Sequence, residues 1–184
     1  MKRIICYGAS NTFGYDPRSP LGRAYPGRWT SLLGEYGFDV VNLGLPGRKI
    51  PAGRTYLDAA YRSISSQLPA DMLLVMLGAN DILAGASPEE SAALMEEFLR
   101  ECSLCDITAV IGEPGIHTGR RDDEKRLEEY GILLRDVCSR CKTHYIDTSV
   151  WDINMGSDGI HLDEASQKVF AYELASFILK LQEE

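Results

Sequence analysis

The chain is short of cations. It carries 19 Lys and Arg against 27 Asp and Glu, a formal net charge of −8. Nucleic acid and anionic membrane surfaces both require a basic footprint, so neither is expected as a partner. Long apolar runs are missing as well. None approaches the ~20 residues that span a bilayer. The first, Ile4-Ile5-Cys6, is too short for a secretory signal core and lacks a small-residue cleavage site. A cytoplasmic protein is therefore expected. No repeat, low-complexity tract or linker divides the 184 residues, so 1–184 read as a single domain. At 45% hydrophobic, the composition suffices to cover both faces of a sheet.

Histidine is scarce. Three are present, with no pair at metal-ligand spacing, which argues against an Asp/His metal-dependent hydrolase. Five cysteines, an odd number, fit thiols better than a disulfide framework. Four of them form Cys102-x-x-Cys105 and Cys138-x-x-Cys141. A structural zinc would need the two pairs to converge. The other reading is that each pair packs as small hydrophobes at the end of an amphipathic helix. In both cases the thiols fall before strands, at the end of the sheet away from the candidate site.

What is there is an alternation of strands and helices. Apolar runs at 2–8, 38–43, 72–77, 107–112 and 144–147 read as strands. Between them, residues at helical spacing mark buried stripes: Trp29, Leu32, Leu33 and Tyr36; Leu57, Tyr61, Ile64 and Leu68; Leu94, Phe98, Cys102 and Cys105; Leu127, Tyr130, Leu134, Val137 and Cys141; Phe170, Leu174, Phe177 and Leu181. Ser87-Pro88-Glu89-Glu90 has the form of a capping box with Pro at the first helical position. Asp163 is the expected N-cap of the last helix. Five strands alternating with helices imply an α/β fold, a parallel sheet covered on both faces. Ligands of such sheets bind beyond the carboxyl ends of the strands.

Four polar blocks fall at those ends or before the last helix: Gly8-Ala9-Ser10-Asn11-Thr12, Asn42-Leu43-Gly44, Gly78-Ala79-Asn80-Asp81 and Asp158-Gly159-Ile160-His161-Leu162. A serine hydroxyl becomes a nucleophile when a base takes its proton, and the base needs an orienting partner. Ser10, His161 and Asp158 can fill those roles. Alone, Ser10 also reads as a helix N-cap, and Asp158 with His161 as an ordinary loop pair. Acyl transfer also needs donors for the developing oxyanion. The Ser10 amide, the Gly44 amide and the Asn80 carboxamide are the candidates. Asn11, Arg48 and His117 are candidates for touching substrate. Neither the Gly-x-Ser-x-Gly elbow nor the phosphate-binding loop with its Lys is present. A non-catalytic module that holds a small ligand at its strand ends is the rival reading.

The four blocks, in this order and across nearly the whole chain, resemble the SGNH hydrolase superfamily, the GDSL-type lipases and esterases. The resemblance implies a flavodoxin-like three-layer α/β/α sandwich with a five-stranded parallel sheet in the order 2-1-3-4-5. It implies that Ser10 is nucleophile, His161 base and Asp158 its partner, with Ser10, Gly44 and Asn80 as the oxyanion hole. No cofactor and no metal are implied; the partner is a small-molecule ester. Gly53-Arg54-Thr55-Tyr56-Leu57-Asp58 looks similar to small arylesterase-like members, which act on short acyl esters and often form homo-oligomers. Acetylated sugars are a further substrate class of the family. One departure stands out: the family usually has Asp before the serine, and this chain has Ala9.

Overall fold

The computed structural model describes residues 1–181. Five strands, β1 (Lys2–Gly8), β2 (Phe38–Gly44), β3 (Met72–Met76), β4 (Ile107–Ile111) and β5 (His144–Ile146), form one parallel sheet in the order β2-β1-β3-β4-β5. The expected order is thus observed. The alternation along each strand builds two cores. Ile5, Tyr7, Leu73, Val75 and Val110 face one side; Ile4, Cys6, Met72, Leu74, Met76 and Ala109 face the other. Every residue of β3 is buried, and each such Leu, Val or Met contributes about 1.5–3 kcal/mol.

The first core is closed by α3 (Arg54–Ser65), α5 (Pro88–Cys102) and α6 (Arg121–Cys141). The second is closed by α2 (Trp29–Leu32), the 3₁₀ turn Leu33–Tyr36 and α7 (Glu164–Lys180). Two four- to five-residue helices sit on the carboxyl edge: α1 (Ser10–Phe13) and α4 (Ala79–Leu83). The helix-start signals behave as read. Ser87 accepts from the Glu90 N–H while the Glu90 carboxylate accepts from the Ser87 N–H. Asp163 caps α7 by accepting from Ser166 N–H at 2.8 Å.

Some stripes differ from expectation. In α3 the buried set is Leu57, Ala60 and Ile64, while Tyr61 turns to solvent and Leu68 lies beyond the helix. Tyr36 is exposed, and the helix from Trp29 gives way to a 3₁₀ turn before Gly37. Cys138, not Cys141, is the fully buried thiol of α6. Cys102 and Cys138 sit in the same apolar core, with Cys105 and Cys141 packed at its margin. Burial pushes the thiols of Cys102, Cys105 and Cys138 up to about 11. These are packing positions, and among the described residues no cluster of three or more His, Cys, Asp or Glu is placed to hold a metal ion. No described helix is long and apolar enough to cross a membrane.

The α5 capping box gives a direct test. Ser87→Ala removes the acceptor for Glu90 N–H and is expected to cost about 1 kcal/mol. At this chain length that is a fall in melting temperature of roughly 2–4 °C, read by calorimetry. An unchanged Tm would mean that the box is not formed in solution.

Candidate active site

The register of the sheet brings the polar blocks to one edge. Gly8, the last residue of β1, pairs with Gly44 on one side and Met76 on the other. The chain then turns directly into α1, whose first residue is Ser10. A four-residue helix leaves the Ser10 N–H in its first turn, where no intrahelical acceptor exists.

Asp158, Gly159, Ile160 and His161 turn back on themselves. Asp158 Oδ1 accepts from the Ile160 and His161 N–H groups at 3.0 and 3.1 Å. Its Oδ2 lies 2.6 Å from His161 Nδ1, and His161 Nε2 lies 2.8 Å from Ser10 Oγ. Burial pushes the Asp158 carboxyl up, but the His161 ring and the two N–H groups outweigh it and hold the group below its usual range. The Tyr15 ring packs on the imidazole, with centroids 4.5 Å apart. The arrangement can do proton transfer: a carboxylate orients an imidazole whose other nitrogen faces a hydroxyl.

Asn11 is placed differently from expectation. Its carboxamide is spent on the His161 loop, donating from Nδ2 to Ile160 O at 3.2 Å and accepting at Oδ1 from Leu162 N–H at 3.0 Å. It brackets His161 rather than offering free groups to a substrate. Arg48 also turns away. Its guanidinium lies 4.1 Å over the Tyr7 ring and donates to the carbonyls of Gly8 and Leu43, bracing the ends of β1 and β2. His117 joins the site through its backbone, donating its N–H to Gly159 O at 2.7 Å.

The donors need a correction. Gly44 is not a free donor, because its N–H is committed to Asn42 Oδ1 at 2.7 Å. The same Asn42 donates to Thr12 O at 2.8 Å and Thr30 Oγ1 at 2.7 Å, so it ties α1 to β2. Gly44 is glycine for another reason: a Cβ there would overlap the Phe13 backbone. A glycine amide that the sequence blocks do not include is that of Gly47. Leu45-Pro46-Gly47-Arg48 is a type II turn, with Arg48 N–H donating to Leu45 O at 3.0 Å and Gly47 at φ 76°. The Gly47 N–H has no partner among the described residues. Asn80 Nδ2 donates to Arg48 O at 2.9 Å, which holds this turn beside the site and leaves one carboxamide N–H over. The Pro-Gly pair was the available sequence signal. Asn80 itself lies in α4, not in a loop.

A small cavity of about 10 Å³, room for little more than one water, is lined by Ala9, Ser10, Asn80, Glu113 and Ile160 among others. Glu113 is the second residue that sequence reading passed over. Its Oε1 accepts from Ala79 N–H at 3.2 Å. Burial pushes its carboxyl up to about 7; the Ala79 N–H opposes this and Asp81 reinforces it. A larger pocket of about 470 Å³ lies on the other side of Glu113 and runs past His117 toward α6.

A model of the GDSL-like lipase/acylhydrolase family matches residues 6–169. The chain belongs to that family. GDSL-type hydrolases are carboxylic ester hydrolases; three of the four blocks named above lie at the ends of β1, β2 and β3 of this member and the fourth precedes α7. Its fold is similar to that of an aryl esterase of M. smegmatis, at 22% identity and TM-score 0.85, covering 98% of this chain and 100% of that one. It is similar to a carbohydrate acetylesterase from Sinorhizobium meliloti, at 20% identity and TM-score 0.86, covering 98% and 100%. It also resembles a lipase/acylhydrolase from Enterococcus faecalis, at 20% and 0.77, covering 97% and 95%. At such identities the likeness is one of fold. Comparison with curated protein sequences gave no match.

Glu113 makes stability depend on pH in this GDSL-family chain. The unfolded chain releases the proton near 4.5 and the folded one near 7. Between those values the folded state binds more protons, so its stability falls as pH rises and levels off above 7. Glu113→Gln should remove a decline of about 3 kcal/mol over that window. Denaturant midpoints of the two proteins at pH 5 and pH 8 provide the check; parallel behaviour would show that Glu113 ionises normally.

Proposed function

We propose that this esterase works through an acyl-enzyme on Ser10. His161 takes the hydroxyl proton as Ser10 Oγ attacks the ester carbonyl, and Asp158 holds the imidazole and stabilises its charged form. His161 then returns the proton to the leaving alcohol. Water, activated by the same nitrogen, releases the acyl group and restores Ser10. The observation that carries the reading is the unbroken chain Asp158–His161–Ser10, with links of 2.6 and 2.8 Å. The Ser10 N–H, the Gly47 N–H and the remaining Asn80 N–H serve as the oxyanion donors, each contributing about 3–4 kcal/mol to the transition state.

The substrates are short-chain acyl esters. Support comes from the cavity of about 10 Å³ beside Ser10, which has no room for a long chain. The aryl esterase and the carbohydrate acetylesterase among proteins of this fold point the same way. Five free cysteines fit the reducing cytoplasm.

Hydrolysis of p-nitrophenyl acetate by wild type and Ser10→Ala, side by side, tests the mechanism. Ser10→Ala and Asp158→Asn should each lose about four orders of magnitude in kcat. Equal rates in wild type and Ser10→Ala would remove Ser10 from the mechanism. On the wild type, p-nitrophenyl acetate should exceed the octanoate in kcat/KM by at least about tenfold, the octanoate lacking a site for its extra methylenes. A reversed order would assign the protein to longer acyl chains.

A further inference from the structure

The pocket of about 470 Å³ beyond Glu113 has no role in the mechanism above. Its position gives it one. Glu113 lines both this pocket and the Ser10 cavity, so the two spaces meet at one side chain. The rim is stitched to the loop of the base: His117 N–H donates to Gly159 O, and Met155, in the pocket wall, bridges to Leu162. The leaving oxygen of the ester has to lie within reach of His161. The half attached to that oxygen is therefore the half that this pocket can receive.

Two further observations say what it receives. Gly131 lines the pocket from the interior of the 21-residue helix α6. Glycine there costs about 1 kcal/mol against alanine, its φ is not in the left-handed region, and a Cβ would meet Tyr145 Oη at an ordinary 3.4 Å. Backbone geometry therefore does not demand the glycine; what it provides is open space. The polar lining is one-sided. Glu113, Glu124, Glu128 and Asp147 face a single guanidinium, Arg135, which is paired to Asp147 and lies over the Tyr145 ring. Trp151 and Ile132 supply apolar surface.

Building on the esterase reading, we propose that this pocket holds the alcohol half of the ester, and that it selects alcohols bearing hydroxyl donors or a cationic ammonium group over anionic ones. The acyl carbon bonds to Ser10 Oγ, its bond to the alcohol oxygen breaks, that oxygen takes the proton from His161, and the free alcohol leaves from the pocket. Water completes the cycle and no other reactant is needed.

The test compares acetate esters of differing alcohol: ethyl acetate, glyceryl monoacetate, acetylcholine and acetoxyacetate. Wild type should favour the glyceryl or choline ester over acetoxyacetate by at least tenfold in kcat/KM; the choline arm separates ammonium recognition from hydroxyl recognition. Gly131→Leu, which fills the pocket, should lower the ratio of the favoured ester to ethyl acetate by about tenfold. A ratio unchanged by Gly131→Leu, or a preference for acetoxyacetate, overturns the proposal. A second readout is independent of turnover. Titration calorimetry of the favoured ester into Ser10→Ala should show binding that Gly131→Leu weakens at least tenfold. Equal binding by the two proteins overturns the pocket assignment whether or not Ser10 is the nucleophile, whereas failure of the esterase reading appears as turnover that Ser10→Ala leaves intact.

Discussion

The arrangement depends on one side chain that does no chemistry. The Asn11 carboxamide holds the loop of the base on both sides, through Ile160 O and Leu162 N–H. Ser10 and His161 lie 151 positions apart in sequence, and nothing local brings them together. Asn11 follows the nucleophile directly, so whatever fixes Asn11 also fixes the distance between hydroxyl and imidazole. Its carbonyl accepts from Trp29 Nε1 at 2.8 Å, and Trp29 is fully buried against Phe170 of α7. The line of restraint runs from the second core through Trp29 and Asn11 to His161. Each of the two backbone groups that Asn11 satisfies would otherwise cost about 1–3 kcal/mol if left buried and unpaired, so the bracket is kept by energy as well as by geometry.

The remaining supports follow the same logic of tying strand ends to one another. Asn42 binds the end of β2 to α1, and Arg48 binds the ends of β1 and β2 from above. Asp81, buried in α4, accepts from Ile50 N–H and anchors the loop that carries the Pro-Gly turn. Asn80 then holds that turn by its Arg48 carbonyl. Parallel strands end without hairpins, so each strand end is a loose end. Beyond the other strands, the Tyr130 hydroxyl donates to Leu77 O after β3, the Thr148 hydroxyl to Gly112 O after β4, and Arg135 pairs with Asp147 after β5. The groups that face substrate are what is left over.

That leftover character explains what the sequence could and could not tell. Strand and helix existence was legible because apolar periodicity is a property of single segments. Ser10, Asp158 and His161, which the structure brings together, could be picked out because the chain has few histidines and one of them follows an aspartate across a glycine turn. Gly44 was misread because a glycine amide at a strand end looks like a donor until one knows where Asn42 Oδ1 points. Arg48 looked like a ligand because the sequence does not reveal that Tyr7 and two carbonyls lie within its reach. The same limit hid Glu113: a lone carboxyl after a strand reads as solvated, and only the packing of Ala79, Asp81 and α6 around it shows otherwise. The cysteine pairs have a packing account: Cys102 and Cys138 are buried in one core, Cys141 sits at its margin, and Cys105 lies beyond the end of α5.

Ala9 can now be understood in the same terms. Ala9 stands where the family resemblance implies an aspartate, and the N-cap of α1 makes no side-chain hydrogen bond. The helix is held from its other end instead, by Asn42 on Thr12 O and Arg28 on Phe13 O. Ala9 and Glu113 line the same small cavity. One carboxyl there is already pushed toward neutrality by burial. A second carboxyl at position 9 would make it costlier to ionise either one, in a space with room for about one water, where screening is weak. With a glutamate kept at 113, an uncharged residue at 9 avoids that cost.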